Sequence, residues 1–379
     1  MRNILMIGAF PEDPTHIQGG VQASVYGLAK TLLVSGDKVK VIALPARASE
    51  HSDKRSAMVE GMEVDYLQFK KFLALGIIHL PFLMEEINRD KNRVVHIHGT
   101  GLVQCVLLAI LRTKRIKSIW TLHGITAKET WQCYFRKKTL ANLTRHWFYR
   151  TLEQICIKTA MQITVDTPYV AEEIGKRDNV HIIPQGIFRE EFARKDVQRV
   201  DNLVISVGVF SPRKAHHHLL EAFAKVKEKV PNARLIIAGA LTKQTYYDRL
   251  REQVIKAGLS EQVMLLPDLP RNAIIDLYLK AKIFALHSRE ESQGIALCEA
   301  FAAGLPVVAT RVGGIPHIAN DRKDSLLVQY GDITGFANHI TSLLNDGALF
   351  DTMSSDARKT GESFDWKNIY GKVVNLYAA

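Results

Sequence analysis

Short apolar runs rich in valine and isoleucine recur along the chain, each ending in a polar or glycine-containing stretch. In the first half they are NILMIGAF, KVKVIAL, RVVHIHG, SIWTLHG, QITVD and VHIIPQG. In the second half they are LVISVGVF, RLIIAGA, QVMLLPD, IFALHS, PVVAT and SLLVQ. Most are separated by segments with helical spacing of apolar residues, such as VQASVYGLAKTLLVSG and HHHLLEAFAKVKEKV. A strand buried on both faces reads as a continuous apolar run, and such strands alternating with amphipathic helices specify a parallel sheet covered on both sides. Six runs in each half predict an α/β protein with two doubly wound domains. The stretch IFREEFARKDVQRVDN has no strand pattern. We therefore expect residues 1–186 to form one domain, 187–202 a linker, 203–362 a second domain, and 363–379 a C-terminal helix crossing back to the first. Ligands of such sheets bind beyond the carboxyl ends of the strands. The chemistry is thus expected in a cleft between the two domains.

Composition narrows the class. A chain of 379 residues exceeds one ordinary core, and 47% hydrophobic with 23% charged residues is a globular balance. The longest apolar stretch, GLVQCVLLAI, is about half of the ~20 residues a bilayer-spanning helix needs. The start, MRNILMIGAFPEDP, has no small-residue cleavage site and reads as a first strand. Cys105, Cys133, Cys156 and Cys298 show neither metal-ligand spacing nor a disulfide framework, which suits the reducing cytoplasm.

The net charge of +11 is concentrated. Between Arg112 and Lys158 eleven basic residues face two acidic ones, Glu129 and Glu153. Such a patch attracts phosphates, lipid headgroups or nucleic acid, or else is a solvated helix face. Within it, YFRKKTLANLTRHWFYRTLEQICIK reads as one long helix carrying Tyr134, Trp147, Phe148 and Tyr149 among its cations. That arrangement suits docking on the anionic inner face of the cytoplasmic membrane, with Arg136, Lys137, Lys138, Arg145, Trp147 and Arg150 as contacts.

The stretch EESQGIALCEAFAAGLPVVAT, residues 290–310, holds the densest chemistry. Gly294 permits a tight turn after the strand IFALHS, and GIALCEAFAAG reads as a helix ending at Gly304. The first amides of that helix have no intrahelical partners and, with its dipole, make an anion site suited to a diphosphate. Glu291 and Glu299 beside that site would repel phosphate, so hydroxyls are their natural partners; the alternative is two surface acids. The consecutive His216, His217 and His218 point about 100° apart on a helix and cannot chelate one ion well. His96 and His98 share a strand face, and Asp166 and Thr167 fit a helix cap.

HSREESQGIALCEAFAAGLPVVATRVGGIPHIA resembles the Glu-x7-Glu run of glycosyltransferase family 4, retaining enzymes of the GT-B fold. The matches are Ser288, Glu291, Gly294, Glu299, Ala300, Gly304, Pro306, Val307, Val308, Ala309, Gly313 and Gly314. GGVQASVYGLAKTLLVSG, WTLHG and VGVFSPRKAHHHLLEAF resemble further segments of that family. The resemblance implies that Glu291 binds donor-sugar hydroxyls and Glu299 the nucleotide ribose. It also implies that the amides of Gly294, Ile295 and Ala296 hold the diphosphate with Lys214. Gly19 and Gly20 would let the first loop approach the donor phosphate, and His123 would reach the sugar from the first domain. The chain departs from the family pattern at Val209, where an arginine is usual, and at Ala215, Gln185, Gln293 and His317. Arg213 is the candidate replacement for the missing cation, and Gln293 stands where an aromatic walls the sugar.

The implied reaction moves a sugar from a nucleotide-diphosphate donor to a glycan or lipid-linked acceptor with retention of configuration. Cell-surface polysaccharide, lipopolysaccharide or glycolipid synthesis is the expected setting. No cofactor, metal or nucleic acid is expected. The rivals are a nucleotide-sugar epimerase on the same fold and an inactive, transferase-like basic binding protein.

Overall fold

The computed structural model describes residues 1–44, 54–68, 74–90, 92–136, 138–194 and 197–378. The chain divides into two compact units, one of Met1–Phe10, Val21–Pro184 and Tyr370–Ala379, the other of Pro11–Gly20 and Gln185–Ile369.

The first unit is built on β1 (Asn3–Gly8), β2 (Lys38–Ala43), β3 (Lys54–Val59), β4 (Met62–Leu67), β5 (Val94–His98), β6 (Ser118–Leu122), β7 (Gln162–Val165) and β8 (Val180–Ile182). Their order across the sheet is β3-β4-β2-β1-β5-β6-β7-β8. All neighbours are parallel except β3 and β4. The second unit contains β9 (Leu203–Val207), β10 (Arg234–Gly239), β11 (Val263–Pro267), β12 (Ile283–Leu286), β13 (Val307–Thr310) and β14 (Ser325–Val328). These form an all-parallel sheet in the order β11-β10-β9-β12-β13-β14.

Every apolar run identified in the sequence is one of these strands, and the α/β architecture with two doubly wound sheets follows from them. The hairpin β3–β4 was not anticipated. β4 alternates and β3 is polar over its first half, so neither runs continuously apolar, and the turn between them is made by Glu60 and Gly61, both at positive φ (46° and 85°), the geometry that matches the twist of an antiparallel pair. In the expected linker, Ile187 and Phe192 are buried in the second unit's core. In the first unit, Tyr377 accompanies the buried sheet residue His96, with its hydroxyl 2.7 Å from His96 Nδ1.

The basic segment corrects the expectation of one long helix. It forms two helices, Thr126–Arg136 and Leu140–Thr159. Thr139 lies between them in an extended conformation, and its hydroxyl accepts the Asn142 N–H at 3.3 Å, capping the second helix. The second helix turns His146 and Glu153 inward, while Trp147 and Phe148 stay 54% and 40% exposed. Arg150 lies over the Trp147 ring at 5.2 Å, and Arg145 over that of Tyr149 at 5.9 Å. Lys138 is exposed; Lys137 and the Arg136 side chain lie outside the described residues. No helix among the described residues is long and apolar enough to cross a membrane.

Candidate functional site

In the second sheet the chain runs outward from β9 through β10 to β11, then crosses back to place β12 on the other side of β9. The loops leaving β9 and β12 therefore diverge from adjacent carboxyl ends, the switch point at which open α/β sheets bind ligands. The first loop carries Arg213 and Lys214, the second Ser288 and Glu291.

These side chains meet. Lys214 Nζ donates to Glu291 Oε1 at 2.5 Å, and Ser288 Oγ donates to the same oxygen at 2.6 Å. Arg213 reaches Glu291 Oε2 at 3.5 Å and donates to the Glu290 carbonyl at 3.0 Å. Glu291 is only 4% exposed and Lys214 9%. Burial works against the Glu291 charge, but the Lys214 and Arg213 cations and the bonds from Lys214 and Ser288 hold its carboxyl below the ordinary value of 4.5. Arg213 thus supplies a second cation although position 209 is valine. Ala215, where the family has glycine, sits fully buried in the left-handed region at φ 45°, a conformation that costs a non-glycine residue about 1–2 kcal/mol.

That lowered value gives a pH dependence. On acidification the unfolded chain takes up this proton before the folded one does, so the carboxylate stabilises fully above the ordinary value. The contribution is lost as pH falls through the lower folded value. Thermal melts from pH 7 to pH 3 should show wild-type stability dropping more steeply than that of Glu291→Gln; parallel curves would deny the pair a stabilising role.

Gly294, in the left-handed region at φ 88°, turns the chain into helix Ile295–Ala302. Gly294, Ile295 and Ala296 are half-exposed where the helix begins, whereas its remaining residues are buried. The loop before helix Gly20–Val34 comes to this place within the same unit. A Cβ on Gly20 would lie 3.5 Å from Ile295 Cδ1, and one on Gly19 3.8 Å from Val209 Cγ1. Glu299, 6% exposed, accepts from Arg271, whose guanidinium is also bonded to Glu191 Oε2 at 2.8 Å. Burial disfavours the Arg271 charge, but Glu299 and Glu191 raise its pKa.

Arg271 and Glu191 were not anticipated from sequence. The only trace was an arginine directly after Pro270 at a helix start. Gln293 is a correction. It was expected to contact the donor, yet its side chain is 1% exposed, and both ends of its amide clamp Gln185. Its Oε1 accepts the Gln185 N–H at 2.7 Å and its Nε2 donates to the Gln185 carbonyl at 2.9 Å. The two glutamines that replace family residues have become partners of one another.

In the first unit, His123 follows the end of β6. Its Nε2 is 3.1 Å from His98 Nδ1, and the rings stack at 5.3 Å. His98 stacks in turn on His96 at 4.2 Å. Burial drives His123 down to about 4 and His96 to about 3, so both are neutral at pH 7. Both His96 nitrogens are engaged, by Tyr377 and by Thr121, which removes it as a metal ligand. His216 packs against Phe210, His217 bonds the Tyr246 hydroxyl, and His218 meets His287 edge-on, so each ring has its own protein partner although the His217 and His218 rings lie 4.3 Å apart. Among the described residues no cluster of three or more His, Cys, Asp or Glu could hold a metal. Thr167 is the N-cap of helix Pro168–Ile174 but makes no side-chain capping bond.

Two family descriptions match the chain: "Glycosyltransferase Family 4" over residues 18–191 and "Glycosyl transferases group 1" over residues 188–360. An uncharacterised glycosyltransferase of Methanocaldococcus jannaschii is 26% identical over 394 residues, covering 97% of this chain and 96% of that protein. A D-inositol 3-phosphate glycosyltransferase of Corynebacterium efficiens is 31% identical over 183 residues, 46% of this chain and 42% of that protein. Sucrose-phosphate synthase from Thermosynechococcus elongatus superimposes with a TM-score of 0.79 at 19% identity, covering 100% of this chain and 98% of that one. Anabaena HepE in complex with UDP and glucose gives 0.75 at 18% identity, with both chains fully covered. At these identities the structural likeness is one of fold.

Proposed function

The chain belongs to glycosyltransferase family 4, with the GT-B fold, and from that premise we propose that it transfers a sugar from a nucleotide-diphosphate donor to an acceptor hydroxyl with retention of configuration. The observation that carries the reading is the buried Lys214–Glu291–Ser288 contact at the switch point, beside the first amides of helix Ile295–Ala302.

The contact is a stored pair of binding groups. Without a ligand, Lys214 and Glu291 neutralise one another, as two buried charges must. A diphosphate at the helix start gives Lys214 a second anionic partner, and Glu291 can then accept from the sugar hydroxyls. As the bond from the anomeric carbon to the diphosphate oxygen breaks, charge grows on the departing phosphate. Lys214, Arg213 and the amides of Ile295 and Ala296 are fixed in advance to stabilise it. The departing phosphate takes the acceptor's proton, with attack from the leaving-group face, which gives retention without a carboxylate nucleophile. His123 is assigned to the sugar by the family resemblance. Being neutral, it can either donate or accept a hydrogen bond there.

Glu299 is assigned to the nucleotide ribose, with Arg271 and Glu191 fixing its orientation. Glu299→Ala should weaken binding of the free nucleoside diphosphate by roughly 1.5–3 kcal/mol, the worth of a hydrogen bond to a charged group. Unchanged affinity by calorimetry would remove Glu299 from the ribose.

HepE is solved with UDP-glucose, and a UDP-sugar is the first donor to try here. We place the reaction in the synthesis of a cell-surface glycan or glycolipid at the inner face of the cytoplasmic membrane, because the exposed face of helix Leu140–Thr159 interleaves cations with aromatic rings. Cations near an anionic surface contribute about 1 kcal/mol each. Reversing Arg136, Lys137 and Lys138 to glutamate should abolish sedimentation with phosphatidylglycerol vesicles at low salt and spare nucleotide binding. A wild type that ignores those vesicles would make the patch a solvated face.

A further inference from the structure

Helix Leu102–Thr113 carries two apolar faces. Val103, Leu107, Leu108 and Leu111 enter the core of the first unit, as a helix covering a sheet requires. A second stripe, Leu102, Cys105, Val106, Ala109, Ile110 and Thr113, repeats at intervals of three and one, which is one side of a helix over three turns. Leu102, Val106, Ala109 and Ile110 are only half-buried. This stripe forms one wall of a groove of about 430 Å³, and Leu152 and Ile155 from helix Leu140–Thr159 form the other. From Leu102 to Thr113 the groove follows about 17 Å of helix.

At Ile155, which is 38% exposed, a second cavity of about 240 Å³ adjoins the first, lined by Trp147, Arg150, Thr151, Gln154 and Lys158. Neither Arg150 nor Lys158 makes an ion pair with a carboxylate among the described residues. Arg150 rests on the face of Trp147. Glu153, the acid on this helix, is turned inward and accepts the Ala127 N–H at 3.4 Å. An alkyl-lined trough thus ends in two cations, an indole and two neutral hydrogen-bonding side chains.

We propose that this trough binds one anionic phospholipid, its acyl chain along the stripe and its phosphate against Arg150 and Lys158. A free phosphate would leave the apolar stripe wet. A peptide would bury backbone groups against walls that offer Thr113 as their one polar side chain, whereas an alkyl chain needs no polar partner. The inference deepens the membrane reading given above by replacing a diffuse surface attraction with a defined lipid seat.

The test titrates the full chain with a short-chain phosphatidylglycerol held below its critical micelle concentration, alongside the phosphatidylcholine of equal chain length and glycerol phosphate. Wild type should bind one equivalent of phosphatidylglycerol, at least tenfold more tightly than either control. Ala109→Trp, which fills the groove on a half-buried helix face, should weaken that binding at least tenfold with an unchanged melting temperature. Should Ala109→Trp melt early, Val106→Trp gives the same reading from the adjacent position. Arg150→Glu with Lys158→Glu should erase the preference over phosphatidylcholine. Equal binding of both lipids, or undiminished binding by the folded tryptophan variants, overturns the seat. Binding to phosphatidylglycerol vesicles without binding of the monomeric lipid overturns the seat and leaves the membrane reading standing. Binding of the monomer without the vesicles does the reverse.

Discussion

Lys214→Ala should lower kcat by at least two orders of magnitude. The lost group is fixed where charge appears on the departing phosphate, and removing one such preorganised donor costs about 3 kcal/mol or more. The same substitution strips the buried Glu291 carboxylate of its 2.5 Å partner, and an orphaned buried charge costs roughly 3–5 kcal/mol of stability. Arg213, 3.5 Å from the other carboxylate oxygen, offsets part of that loss. The variant should therefore melt early as well as turn over slowly. Glu291→Gln keeps an acceptor for Lys214 and Ser288 but leaves the buried Lys214 cation without its counter-charge, so this variant too should melt earlier at neutral pH. A comparable fall in kcat is expected, because the sugar loses its charged acceptor. Near-normal turnover in either folded variant would take these residues out of the reaction.

Gly313→Ala should be almost as damaging, although it removes no polar group. Gly313 lies at φ 52°, and a Cβ there would stand 2.0 Å from the carbonyl oxygen of Glu291. The neighbouring Gly314 N–H donates to that same oxygen at 2.8 Å, so the glycine pair forms the seat on which the Glu291 backbone rests. Backbone cannot yield as a flexible side chain can, so a methyl group must push the β12 loop outward. A displacement of about 1 Å at reacting groups can cost on the order of a hundredfold in rate. Gly347→Ala is the matched control, because a Cβ there meets nothing within 4 Å. Equal turnover of the two variants would mean that the glycine pair does not position Glu291.

The strands were legible because most are buried on both faces and are written as continuous apolar runs, a pattern that the partly exposed edge strands β8 and β11 share. The hairpin β3–β4 escaped because β3 is polar over its first half and β4 alternates, and the break at Thr139 escaped because a capping threonine leaves the helical spacing on either side undisturbed. Of the candidate site, Lys214, Glu291 and Gly294 stood out in the sequence, and the structure brings them to one sheet's switch point through long sequence separations. Gln293 was misread for a physical reason. A polar residue at a binding loop suggests a ligand, but here its partner is the backbone of Gln185, more than a hundred positions away. Arg271 was invisible for the same reason. Its importance lies wholly in two carboxylates, Glu191 and Glu299, that only the fold brings to it.

The measurement that tests the central claim most directly follows nucleoside diphosphate release and the anomeric protons of the sugar by NMR. Wild type and Glu291→Gln are each incubated with UDP-, GDP- and ADP-sugars in the presence of a chelator. The wild type should release the diphosphate from one donor class, with the first-formed sugar product keeping the donor's anomeric configuration, and Glu291→Gln should do so at least a hundredfold more slowly. An inverted first product, or turnover indifferent to Glu291, would contradict the account.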